Sequence, residues 1–195
     1  MKIAVLSDVH ENFHNLILAL EKCEELKVKK ILFLWDFMNN AIAKIFASSP
    51  IPVFAIRWNN DGDKVAITRT SCTSKGNFDI WLDTFDRIEI DTRNIFLTHY
   101  PLLAKPIAKS WDFDAVFYGH NHIYNIDKIK KCIIVNPWEI SAHKTGESTF
   151  ALYDTTTNTA KILFLKNHIS LKSDKMKAYL EKQGISLSTS KGHQY

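Results

Sequence analysis

Long apolar runs are missing from this sequence of 195 residues. A membrane-spanning helix needs about 20 consecutive apolar residues, and the opening MKIAVLSDVH reaches Ser7 too soon for the apolar core of a signal peptide. We therefore expect a cytoplasmic protein without a membrane partner. Because 46% of the residues are apolar, a chain of this length can bury a full hydrophobic core, which excludes a disordered or fibrous protein.

Cysteine is scarce and the net charge is small. Cys23, Cys72 and Cys132 are widely spaced and form no Cys-x-x-Cys pair, so we expect reduced thiols. The formal net charge is +4, and five lysines against two acidic residues within 171–195 supply most of it. The rest of the chain is nearly neutral. The sequence therefore predicts no dedicated nucleic-acid surface, and it disfavours a nuclease, which would need a basic groove.

Short apolar runs of β-forming residues recur along the chain, each with the length of a buried strand. A helix is predicted after the first run, because Asn12 is a suitable N-cap and an apolar stripe follows it at helical spacing. A second, short helix is predicted over Asn40–Phe46. The predicted strands are Ile3–Leu6, Ile31–Leu34, Val53–Ile56, Ile95–Leu97, Ala115–Tyr118, Ile133–Val135, Phe150–Tyr153 and Ile162–Leu165.

The order of these elements predicts an α/β fold in which two packed, mostly β sheets are flanked by helices. We expect one domain over residues 1–165. After Leu165 the composition becomes polar, and we expect 166–195 to be a polar C-terminal appendage with one amphipathic helix in Ser173–Gln183. The sequence leaves the oligomeric state open, including a homo-oligomer.

Residues of the types that bind metal ions follow five of the predicted strands. In open α/β sheets the functional crevice lies beyond the carboxyl ends of the strands, so we expect these side chains to converge. Extended backbone would also point residues i and i+2 to one side, which explains the Asp-x-His and His-x-His spacing. The candidate metal ligands are Asp8, His10, Asp36, Asn59, His99, His120 and His122.

The donors in this set are carboxylates, imidazoles and one amide, which suit Mn²⁺, Fe²⁺, Zn²⁺ or Mg²⁺ better than Cu(I) or an iron–sulfur cluster. Seven ligands fit two ions that share a carboxylate better than one ion. Each residue alone has a plainer explanation, as a turn former, helix cap or surface histidine. The other histidines, His14, His143, His168 and His193, have no comparable context and are not predicted to be ligands.

The motifs and their order resemble the calcineurin-like metallophosphoesterases, and among them the small bacterial and archaeal phosphodiesterases. The resemblance covers residues 1–165. It implies a four-layer α/β/β/α sandwich that hydrolyses a small phosphoester, most favourably a diester, by attack of a metal-bridging hydroxide. The motifs are SDVH at 7–10, WD at 35–36, WNND at 58–61, THYP at 98–101, GHNH at 119–122 and NPWE at 136–139.

The resemblance also implies roles for the residues. Asp8, His10, Asp36 and His122 would bind one ion, and Asp36, Asn59, His99 and His120 the other, so that Asp36 bridges the pair. Mn²⁺ is favoured over Ni²⁺, Fe²⁺, Zn²⁺ and Mg²⁺ as the ion. Asp36, Asn60 and His99 are the candidates for a catalytic role.

Two departures from the family pattern bear on activity. Many members have histidine where this chain has Asn60, and an amide cannot protonate a leaving group. The leaving group must then be a good one, or take its proton from water or from another residue. The small phosphodiesterases that this chain resembles also lack that histidine, and this resemblance favours diesters over monoesters. Some proteins of this fold have lost ligands and act as scaffolds for protein–protein interaction, which is the alternative function. The filled ligand positions favour the enzyme.

Tryptophan stands where the family has glycine. Glycine makes up only 6 of the 195 residues, about half of the usual ~7%, and glycine reaches positive φ and allows close backbone approach. Two explanations are open: the tryptophans are genuine and narrow the pocket mouth, or UGA codons in the gene are read as glycine by the cell. The family has glycine at the positions of Trp35, Trp58 and Trp138, whereas Trp81 and Trp111 lie in turn-like contexts.

Overall fold

The computed structural model describes residues 1–56 and 62–182. Its strands are β1 (Lys2–Leu6), β2 (Lys30–Phe33), β3 (Val53–Ala55), β4 (Phe78–Ile80), β5 (Phe85–Ile90), β6 (Arg93–Thr98), β7 (Ala115–Phe117), β8 (Asn125–Ile129), β9 (Cys132–Asn136), β10 (Thr149–Asp154) and β11 (Thr159–Phe164). Its helices are α1 (Phe13–Glu25), α2 (Asn40–Ser48), α3 (Lys64–Thr73), α4 (Pro101–Lys109) and α5 (Asp174–Lys182).

The strands form two mixed sheets. The first has six strands in the order β11-β10-β1-β2-β3-β4, and the second has five in the order β5-β6-β7-β9-β8. Strands β1 to β4 run parallel to one another, and so do β6, β7 and β9. Their carboxyl ends therefore lie along one edge of each sheet, which is where ligand sites form in α/β folds.

Three apolar clusters separate four layers. Along β1, Ile3 and Val5 face the second sheet, whereas Ala4 and Leu6 face the helices, as the alternation of a strand requires. The first sheet packs on α1, α2 and α3 through residues such as Leu16. On the far side, α4 covers the second sheet. The expected α/β/β/α sandwich is confirmed.

The eight predicted strands correspond to β1, β2, β3, β6, β7, β9, β10 and β11. Three strands were not predicted, and all three lie at sheet edges: β4, β5 and β8. Along β5 and β8, more exposed and less exposed residues alternate, and the sequences of both strands include charged residues. Neither strand therefore appears in the sequence as a continuous apolar run. The predicted α1 is confirmed, with Asn12 Oδ1 accepting from the Asn15 N–H at 3.0 Å.

The residues that follow β11 contact the body of the protein. Ser170 Oγ donates to the Ala142 carbonyl at 2.8 Å. The two ring nitrogens of His168 lie 2.9 and 2.8 Å from the carbonyl oxygens of Leu165 and Gly146. Residues 165–170 thus pack against the loop between β9 and β10. The division of the chain at residue 165 stays a prediction.

Several tryptophans have a backbone conformation that favours glycine. The φ angles of Trp35, Trp111 and Trp138 are 127°, 72° and 78°, in a region that bulky residues rarely adopt. The indole N–H groups of Trp35 and Trp138 are buried without a hydrogen-bond partner. Trp81 is not among the positive-φ residues, and Trp58 lies outside the described residues. The glycine hypothesis thus gains support at three positions.

Within residues 1–56 and 62–182, every helix is too short or too polar to cross a membrane.

Candidate metal centre

The candidate ligands come from the carboxyl ends of strands in both sheets. Asp8 and His10 follow β1, and Asp36 follows β2 in the first sheet. His99 follows β6, and His120 with His122 follows β7 in the second sheet. Asn59 and Asn60 lie outside the described residues. The structure therefore brings six of the seven predicted ligands to one side of the sandwich.

Asp8 is the centre of one ligand group. Its Oδ1 atom lies 3.5 Å from His10 Nε2 and 3.3 Å from His122 Nε2. The His10 and His122 rings are stacked, with centroids 5.3 Å apart. Oδ2 of Asp8 instead accepts from Ser7 Oγ at 2.5 Å and from the His120 backbone N–H at 3.3 Å. One oxygen is thus held by the protein, and the other faces the two imidazoles.

A second group overlaps the first. Ligand atoms of Asp8, Asp36 and His99 lie within 4.8 Å of one another, as do those of Asp8, His10 and His122. The His99 ring has Nδ1 at 3.2 Å from the Leu34 carbonyl oxygen and Nε2 at 3.1 Å from His120 Nδ1. Asp8 belongs to both groups. Asp36 is in the second group and also reaches the first, with Oδ2 at 3.4 Å from His10 Nε2.

The backbone at the site is unusual. Positive φ angles occur at Asp8 (54°), His10 (43°), Asp36 (65°), His120 (73°) and His122 (53°). Such conformations cost about 1–3 kcal/mol each and cluster at functional sites. We expected extended backbone to point the two ligands of Asp-x-His and of His-x-His to one side, and this prediction is wrong. Each motif instead brings its two ligands together through residues with left-handed backbone.

Gly119 permits the close approach of β1 and β7 at the site. A Cβ atom at this position would lie 2.3 Å from Ser7 Oγ and 3.1 Å from Asp8 Oδ2. The hydroxyl that holds Asp8 occupies this space. Any side chain at 119 would push Ser7 away and release the Asp8 carboxylate.

Two buried carboxylates lie close together in the site, and a bound cation would stabilise their charges. Burial and the charge of Asp8 raise the pKa of Asp36 to about 6. Burial opposes the charged form of Asp8 as well, but its histidine neighbours, with His10 first, hold the pKa of Asp8 below its ordinary value. Burial lowers the pKa of His99 to about 4, and His120 and His122 add to this effect. His99 is therefore a neutral imidazole near pH 7, the form that binds metal.

Unpartnered buried atoms test whether a divalent cation fits here. Asp8 Oδ1, His10 Nε2 and Asp36 Oδ1 are buried without a hydrogen-bond partner. Buried polar atoms without partners are rare and costly, and these three are oxygen and nitrogen donors that converge. The donor set therefore fits divalent cations of the Mn²⁺ and Zn²⁺ kind.

Glu139 was not singled out from the sequence, although it closes the motif at 136–139. Its side chain is fully buried, and Oε2 lies 2.7 Å from His122 Nδ1. Burial opposes ionisation, but hydrogen bonds from His122, Ser141 and Thr145 and the charge of His122 lower the pKa of Glu139 to about 2. The only sequence signal was an acidic residue next to the Asn136-Pro137 turn.

Residues 1–158 match the family model of the calcineurin-like phosphoesterase superfamily domain. Because the match spans most of the chain, the chain belongs to that family. The chain is 28% identical over 157 residues to the phosphodiesterase MJ0936 of Methanocaldococcus jannaschii. The matched region covers 80% of this chain and 93% of the relative.

Solved structures share this fold. A structure described as a novel archaeal phosphodiesterase has a TM-score of 0.78 and 27% identity, and the match covers 85% of this chain and all of that one. Zinc-complexed Vps29 of Entamoeba histolytica has a TM-score of 0.57 at 14% identity, over 85% of this chain and 98% of that one. At that identity the likeness shows a shared fold alone.

Proposed function

We propose that this chain is a dinuclear, divalent-metal-dependent phosphodiesterase. The observation that carries the proposal is the convergence of two buried carboxylates and four imidazoles at the carboxyl ends of β1, β2, β6 and β7. Three of their atoms, Asp8 Oδ1, His10 Nε2 and Asp36 Oδ1, are buried without a hydrogen-bond partner. Membership of a phosphoesterase family and similarity to a relative named as a phosphodiesterase support the same reaction class.

Two divalent cations, when bound, would acidify a water molecule and polarise the phosphoryl oxygens of the ester. Asp36 would serve both ions. The remaining ligands would be Asp8, His10 and His122 for one ion, and His99, His120 and Asn59 for the other.

The chain itself orients these ligands. Ser7 and the His120 backbone N–H hold Asp8 Oδ2, which leaves Oδ1 for a cation. When the Leu34 carbonyl accepts from His99 Nδ1, the lone pair of His99 Nε2 faces the site. Such partners fix the ring orientation and the tautomer of a metal-binding histidine. The site is thus arranged to receive ions with little reorganisation.

The substrate class follows from the leaving group. Asn60 cannot donate a proton as a general acid. The leaving group must therefore be stable as an anion or take its proton from water or from another residue. We propose small phosphodiesters as substrates, with manganese as the ion, and a cytoplasmic enzyme with no nucleic-acid or membrane partner.

The proposal is tested by hydrolysis of bis(p-nitrophenyl) phosphate beside p-nitrophenyl phosphate. We expect chelation to abolish activity, Mn²⁺ to restore it, and the diester to be the better substrate. Asp36→Asn should lose activity by orders of magnitude while keeping its fold by circular dichroism. Glu147→Gln, an exposed position on the loop before β10, is the matched control. A chain that binds no ion in excess Mn²⁺ and hydrolyses neither ester would favour the scaffold function instead.

A further inference from the structure

Glu139 has a buried carboxylate whose acceptor sites are filled by the protein. Oε2 accepts from Ser141 Oγ at 2.6 Å and pairs with His122 Nδ1 at 2.7 Å. Oε1 accepts from the Thr145 backbone N–H at 2.7 Å, from Thr145 Oγ1 at 2.6 Å and from the Lys144 N–H at 3.1 Å. A carboxylate offers about four lone-pair sites. Glu139 is therefore fixed in place as an ionised group.

The fixed carboxylate determines how His122 presents its ring. An ionised oxygen can only accept, so His122 Nδ1 carries the proton and donates to Glu139. The other nitrogen, Nε2, points to Asp8 Oδ1 at 3.3 Å. A ligating histidine whose second nitrogen donates to a carboxylate binds metal more tightly, because the ring is oriented and its basicity rises.

The same carboxylate anchors the loop between β9 and β10. It bonds to residues 141, 144 and 145, while Ser148 Oγ donates to the Ile140 carbonyl at 2.6 Å. The opposite side of the loop is held by Ser170, which donates to Ala142 at 2.8 Å. The Asn15 amide adds a bond to the Ile140 carbonyl at 2.9 Å. Glu139 thus sits between a ligand and a loop that is itself held on several sides.

We propose that Glu139 is a positioning residue of the metal centre, which holds His122 with Nε2 toward the cation and ties that ligand to the loop of residues 139–145. The inference rests on the proposed function, because it requires a cation at this site. It makes Glu139 a determinant of metal affinity rather than a group that touches substrate.

The test is titration calorimetry with Mn²⁺ alone on Glu139→Gln, Glu139→Asp and the control Glu147→Gln. Glutamine keeps the size of the side chain and an acceptor oxygen but removes the charge. We expect Glu139→Gln to bind Mn²⁺ about 10–100-fold more weakly than the wild type. Glu139→Asp, which keeps the charge, should bind more tightly than Glu139→Gln. Glu147→Gln should stay within about twofold of the wild type.

Melting curves of the metal-free proteins separate a folding defect from a loss of affinity. If Glu139→Gln does not fold, Glu139→Asp carries the comparison with the wild type. Folded Glu139 variants that bind Mn²⁺ within twofold of the wild type would overturn the role of Glu139, and so would equal binding by the two variants. Failure of the wild type to bind Mn²⁺ would instead overturn the proposed metal centre.

Discussion

Trp111 follows the C-cap of α4 with a φ of 72°, the left-handed conformation that helices most often close with glycine. Left-handed backbone costs a residue with a Cβ atom about 1–2 kcal/mol. The side chain offsets part of this cost, because Lys130 Nζ lies 3.3 Å above the Trp111 ring centroid. A cation–π contact at an exposed site contributes about 0.5–1 kcal/mol. Replacing Trp111 therefore changes a backbone cost and a side-chain contact together.

Comparing alanine and glycine at this position isolates the backbone contribution. Both substitutions remove the indole, which is 55% exposed, and its contact with Lys130. Glycine relieves the left-handed cost of about 1–2 kcal/mol but loses about 0.5–1 kcal/mol to the greater freedom of the unfolded chain. We therefore expect Trp111→Gly to be about 0.5–1 kcal/mol more stable than Trp111→Ala.

Urea unfolding followed by circular dichroism measures this difference. Trp81, which is 48% exposed and not among the positive-φ residues, is the matched control. There the order should reverse, with Trp81→Gly about 0.5–1 kcal/mol less stable than Trp81→Ala. If Trp111→Ala equalled or exceeded Trp111→Gly in stability, the argument that glycine suits position 111 would be refuted.

Peptide mass mapping of protein isolated from its native source should find glycine at positions 35, 111 and 138. If every tryptophan is a recoded glycine, it should find glycine at positions 58 and 81 as well. Tryptophan at position 35 would contradict recoding. The pKa of Asp36 is raised to about 6 in the metal-free protein, so protons should compete with Mn²⁺ for this carboxylate below pH 6. Titrations should show the Mn²⁺ affinity falling by up to about tenfold per pH unit. An affinity that does not change between pH 7 and pH 5 would contradict this. Asn60→His should raise the rate on esters with poor leaving groups more than on activated esters, because imidazole can donate a proton; equal gains on both would count against it.

The sequence predicted the centre of the fold better than its edges. Strands such as β1 and β7 are buried on both faces and appear as continuous apolar runs, whereas β5 and β8 alternate charged and apolar residues at the sheet edges. Helix α4 was missed because it contains Pro106, and proline inside a helix removes a backbone hydrogen bond and argues against one. Helix α3 was missed because it buries only Ile67 and so has little apolar periodicity.

The convergence of six of the seven candidate ligands was predictable, because side chains that follow parallel strands share one edge of a sheet. The local geometry was not, since the left-handed turns at Asp8 and His122 leave no mark in a two-residue spacing. The role of Glu139 was also hidden, because a sequence does not show which loop carboxylate folds back onto a ligand. These features depend on long-range contacts between β1, β7 and the loop after β9.

The proposed metal centre holds two ions, so the number of Mn²⁺ ions bound per chain is the decisive measurement. Native mass spectrometry of the metal-replete wild type, with Asp36→Asn beside it, gives that number together with evidence of folding. We expect two ions in the wild type and fewer in Asp36→Asn, because Asp36 contacts both ligand groups. A wild-type chain that binds no ion, or an Asp36→Asn variant that keeps two, would contradict this expectation.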